Sequence, residues 1–106
     1  MTTFDDREQA FEKKFAHDAE MQFKAAARRA KLLGLWAAEK MGLSEAAAED
    51  YAKTVVIADL EEAGDDDVLR KVAGDLADKG VSAQEVRAKM DELLAVAKEQ
   101  VFNEAG

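Results

Sequence analysis

The chain has 106 residues, 48% of them hydrophobic and 36% charged, which fits one ordinary soluble domain and excludes a second. It has no cysteine and one histidine, His17, so disulfides, thiolate chemistry and His-rich metal sites are excluded, and no apolar run reaches the roughly 18 residues of a membrane span. A net charge of -8 excludes phosphate-backbone binding, which needs a lysine and arginine surplus, so neither nucleic acid nor direct membrane insertion is expected.

The fold class follows from local chemistry. Twenty-two alanines and no proline favour helix, because alanine loses no side-chain entropy on entering one and proline would break it. Gly42, Gly64 and Gly80 then cut the sequence into four helical segments, each glycine standing where a left-handed C-terminal cap is cheapest. The expectation is an all-α protein, a four-helix bundle with a flexible N-terminal arm. Connections of two to four residues force neighbouring helices to run antiparallel.

The N-terminus, MTTFDDREQAF, carries charges where a secretory signal has its apolar core and is too acidic for a transit peptide, which points to a cytoplasmic location. Segment one holds a long apolar stripe: Phe4, Phe11, Phe15, Ala19, Phe23, Ala26, Ala30, Leu33, Ala37 and Met41. From Phe4 to Met41 a single helix would run roughly 57 Å, whereas segment four spans only about 30 Å. With Phe23 to Met41 packed in the core, about fifteen residues overhang and Phe4, Phe11 and Phe15 enter solvent. Such an unsupported helix is marginal, so residues 1–17 are expected to be a disordered arm when free and 18–106 the bundle. Thr3 offers an N-cap, and the retained stripe suits folding into a partner's groove, with Phe4, Phe11 and Phe15 as anchors.

Segment two offers Tyr51, Val55 and Ala58 beside Ala48, Ala52 and Val56 to the core, and segment three Leu69, Val72, Ala73, Leu76 and Ala77. Segment four opens with a capping box, Ser82 and Glu85, and a staple of Val81 on Val86. Its core face reads Val86, Met90, Leu93, Leu94, Ala97 and Val101. Trp36, about 60° off the main stripe, is expected to cover the core edge, and Gly34 and Gly74 to permit close packing.

Charge is uneven. Residues 21–40 carry Lys24, Arg28, Arg29, Lys31 and Lys40 against Glu39, whereas 41–67 hold nine carboxylates and Lys53, which reads as two solvated faces attracting each other. The run Glu61, Glu62, Asp65, Asp66 and Asp67 invites a metal reading, but it lacks the alternating ligands of a calcium loop. Carboxylates in the first turn of segment three explain it better, so no metal site is assigned. Weak magnesium or magnesium-nucleotide contact is the residual reading, with no cofactor assigned, and no phosphate-binding loop is present. His17, at the junction of arm and bundle, invites a switch that biases the arm near pH 6.5, but a plain surface histidine is the favoured reading.

The block FEKKFAHDAEMQFKA followed by ARRAKLLGLWAAE, with DLEEAGDDDVLRKV further on, resembles the zeta subunit family, the ATPase inhibitor proteins of alphaproteobacterial F-type ATP synthases. Ala30 and the pair Lys40-Met41 depart from that pattern, at positions that bear on packing. The resemblance implies a non-enzymatic inhibitor of the ATP synthase at the inner membrane. Its N-terminal segment would enter the catalytic sector between α and β subunits, touch γ and block ATP hydrolysis. The residues placed there are Phe4, Arg7, Phe11, Lys14 and Phe15, with no catalytic residue of the chain's own. A helical adaptor or self-associating bundle using the same stripe is the alternative, and a magnesium-dependent enzyme built on the acidic run is third.

Overall fold

The computed structural model describes residues 19–61 and 66–105. They form four helices with no strand among them: α1 (Ala19–Lys40), α2 (Glu45–Glu61), α3 (Asp66–Leu76) and α4 (Ala83–Ala105), with a 3-10 turn, Ala77–Lys79, after α3. The topology is up-down-up-down, and α1 is the central element, packing mainly on α2 and α4.

The helix ends follow from the residues placed there. Gly42 adopts φ +72°, its N–H donates to the Glu39 carbonyl at 3.1 Å, and the Leu43 N–H donates to the Ala38 carbonyl at 3.0 Å. This pair of bonds satisfies carbonyls that the end of α1 would otherwise leave open. Gly80 takes the same left-handed geometry after the 3-10 turn. At the start of α4 the Glu85 N–H donates to Ser82 Oγ at 3.1 Å, and Val81 packs against the core that buries Val86. Asp66 and Asp67 occupy the first turn of α3, where carboxylates suit the helix dipole. Gly64 lies outside the described residues.

The main core joins Ala30, Leu33 and Ala37 of α1, Val55 of α2, Val68, Val72 and Leu76 of α3, and Val86 and Met90 of α4. Trp36, Tyr51, Leu69, Ala73 and Leu93 close its edge, half-buried. Helices α1 and α2 approach most closely at Gly34. A Cβ built there would lie 2.6 Å from Ala52 Cα, so the contact requires glycine. Gly74 is different: a Cβ there would meet nothing within 4 Å, and the expected close packing is absent.

Three further expectations are corrected. Ala77 is exposed, because the α-helix ends at Leu76 and the tighter 3-10 turn carries it away from the core, and Val68 is buried, since it stands four residues before Val72 on the spacing that continues to Leu76. Arg29 is buried rather than part of a solvated face, since it falls between Ala25 and Leu33 on the four-residue spacing of the core stripe. Phe23, expected in the core, is 59% exposed. The buried residues in that stretch are Met21 and Ala25, and at 100° per residue Phe23 points directly away from both.

Candidate functional site

Phe4, Arg7, Phe11, Lys14 and Phe15, with Thr3 and His17, lie outside the described residues. What the structure describes is the start of α1, the stretch of helix that follows that segment in sequence. There α1 and α4 form a two-helix stem with a small core of its own, in which Met21 and Ala25 pack against Val101 and Phe102. Arg28 reinforces it, donating to Gln100 Oε1 at 2.9 Å and pairing with Glu104 at 2.8 Å. The basic run of α1 therefore reaches a carboxylate of α4, outside the acidic stretch 41–67. Lys24 pairs with Glu20 on its own helix at 3.2 Å.

The stem projects past α2. Ala52 faces Gly34, Glu61 is nine residues beyond Ala52, and nine residues back from Gly34 is Ala25. The turns of α1 before Ala25 thus extend past the last described residue of α2. Phe23 sits on this overhang. It shares a line with Ala30 and Gly34, being within about 20° of each at 100° per residue. Sequence reasoning placed Phe23 in the core because it lies on the stripe. The spacing of Met21 and Ala25, half a turn away, was the signal for the other face.

Two polar clusters lie elsewhere. Lys40 and Lys89 each hold their ammonium 5.9 Å from the Trp36 ring centroid, joining α1 to α4 across the core edge. The Tyr51 hydroxyl donates to Asp75 Oδ2 at 2.7 Å, and Lys71 Nζ reaches the same oxygen at 3.3 Å while lying 5.2 Å above the tyrosine ring. Burial, then the bond to Asp75, pushes the Tyr51 phenol well above its ordinary range. This cluster ties α2 to α3.

Arg70 pairs with Asp67 within the first turns of α3. Among the described residues no group of three or more His, Cys, Asp or Glu side chains is arranged to hold a metal. No helix among them is long and apolar enough to cross a membrane.

Among curated proteins there is no match to the chain. A structure determined by solution NMR is similar to it at 58% identity and a TM-score of 0.71, over 79% of this chain and 98% of that one. A family model described as ATPase inhibitor subunit zeta matches residues 1–100, nearly the whole sequence, and so takes in both the N-terminal segment and the four helices. The chain belongs to the ATPase inhibitor subunit zeta family.

Proposed function

We propose that the chain inhibits the F-type ATP synthase of the inner membrane from the cytoplasmic side, acting as an obstruction rather than as an enzyme. Residues 1–17 form an arm that is disordered when free and becomes helical in the catalytic sector, at an interface of α, β and γ subunits. Phe4, Phe11 and Phe15 fill an apolar groove there, and Arg7 and Lys14 steer the approach. Residues 18–106 are the bundle that carries the arm. The observation that supports this reading is the span of the family match: it begins at residue 1, so the Phe-bearing segment belongs to the matched unit and is not an appendage to it.

The test is ATP hydrolysis by the isolated catalytic sector, titrated with the full chain, with a chain lacking residues 1–15, and with Phe11→Ala and Phe15→Ala. Each truncated ring removes burial of about 1.5 to 3 kcal/mol, which weakens inhibition about ten- to a hundredfold. Full inhibition by the shortened chain would refute the reading. Loss of a dimer together with loss of inhibition would favour the self-associating alternative.

A further inference from the structure

Phe23 is the most exposed of the large apolar side chains among the described residues, at 59%, and the described helices leave it uncovered. Met21 and Ala25 are committed to Val101 and Phe102 on one side of α1, and Phe23 stands on the opposite side. The same line of α1, about two and three turns later, presents Ala30 and Gly34, and at Gly34 it takes α2 at backbone contact. Further toward the start of α1 that helix-accepting line continues, but α2 has ended. Among the described residues, then, the stem lacks a helix on this side.

We propose that Phe23 is a docking residue, and that the missing helix is supplied by an apolar helical surface of the ATP synthase catalytic sector, next to the groove that takes the arm. This rests on the arm reading and extends it into the folded domain. Phe11, Phe15, Ala19 and Phe23 follow one another at steps of four, which is one i±4 ridge of a continuous helix. Phe23 lies eight residues from Phe15, about 12 Å along such a helix, so whatever seats Phe15 has surface within reach of Phe23.

A second copy of the chain fits less well than a separate partner, since it would bring two charges of -8 together. The docking ring is also pre-positioned: the Met21–Phe102 cluster and the Arg28 clamp hold its turn of helix before any partner arrives.

The experiment titrates the isolated catalytic sector with full-length Phe23→Ala, Phe23→Leu and, as reference, Phe11→Ala, and measures the melting temperature of each. Phe23→Ala is expected to inhibit about tenfold more weakly with an unchanged melting temperature, and Phe23→Leu to keep most of the inhibition. Wild-type inhibition by Phe23→Ala alongside weakened Phe11→Ala overturns the docking role and leaves the arm reading standing. Wild-type inhibition by both overturns the arm reading as well. Ring-to-ring nuclear Overhauser contacts between Phe23 and Phe11 or Phe15 in the free chain overturn the partner assignment in favour of the arm, and a dimer lost on Phe23→Ala overturns it in favour of a second copy.

Discussion

Replacing Gly34 and Gly74 in turn by alanine separates tertiary packing from helix propensity. Both are helical glycines, and alanine in place of either raises helix propensity by about 1 kcal/mol. They differ in what surrounds them. At Gly74 a Cβ meets nothing within 4 Å, so the propensity gain is unopposed and Gly74→Ala should stabilise the chain by about 0.5 to 1 kcal/mol. At Gly34 the Cβ would lie 2.6 Å from Ala52 Cα, 3.1 Å from Ala52 Cβ and 3.3 Å from Val55 Cγ2. The first of these atoms is backbone and cannot rotate away, so the α1–α2 pair must separate. Overpacking of this kind costs about 1 to 3 kcal/mol, which cancels or exceeds the propensity gain and leaves Gly34→Ala neutral to about 2 kcal/mol destabilised. Urea unfolding followed by far-ultraviolet circular dichroism, with Trp36 fluorescence as a second probe, reads both variants. Equal stabilisation by the two substitutions would refute the close approach of α1 and α2.

Met90 is fully buried and Leu93 only half-buried, so Met90→Ala should cost about 2 to 5 kcal/mol in denaturant unfolding and Leu93→Ala clearly less. The reverse order would show that the core face of α4 is rotated. Tyr51 is the chain's single tyrosine, which makes its ionisation readable as the phenolate absorbance near 295 nm. Its pKa is raised on folding, so the stability it contributes is fully present below the unfolded value of 10.0 and is lost as pH rises toward the folded one. The native chain should therefore show little phenolate at a pH where the urea-unfolded chain is half ionised, and Tyr51→Phe should flatten the decline in stability above pH 10. Coincident native and unfolded titrations would contradict the bond to Asp75 and the partial burial of the ring.

The parts of the fold legible in the sequence are those fixed by local chemistry. Gly42 and Gly80 mark helix ends because the left-handed cap has one inexpensive residue, and Ser82 with Glu85 marks a start because a hydroxyl there satisfies an open N–H. The four-residue rhythm of Val86, Met90, Ala97 and Val101 is legible for the same reason. What escaped is what depends on where another helix stops. Phe23 lies on a continuous apolar stripe, yet the stripe does not say that α2 ends before reaching it. Gly34 and Gly74 look alike in sequence and differ only in a neighbour eighteen residues away, Ala52. The charge of Arg29 points to solvent, whereas its spacing from Ala25 and Leu33 places it inside. The site residues of the arm came from spacing, length and resemblance together, and the described residues add only the stem that bears them.

On the proposed reading, the stem also bears on how residues 1–17 fold on binding. An isolated segment of seventeen residues must nucleate its own helix, and a nucleation factor near 10⁻³ corresponds to about 4 kcal/mol. An arm that extends α1 from Ala19 avoids this cost, because the stem already holds the first turns in place and each further residue only propagates the helix. On the proposed reading, continuity through residue 18 is then part of the affinity. Asp18→Pro tests it without disturbing the bundle: proline is tolerated at the very start of a helix, where Ala19 begins α1, but inside a continuous helix it removes a hydrogen bond and clashes with the preceding turn, at a cost of about 3 kcal/mol. The variant should keep the wild-type melting temperature and inhibit ATP hydrolysis about a hundredfold more weakly. Unchanged inhibition would mean that the arm folds independently of the bundle, and that the stem serves only to tether it.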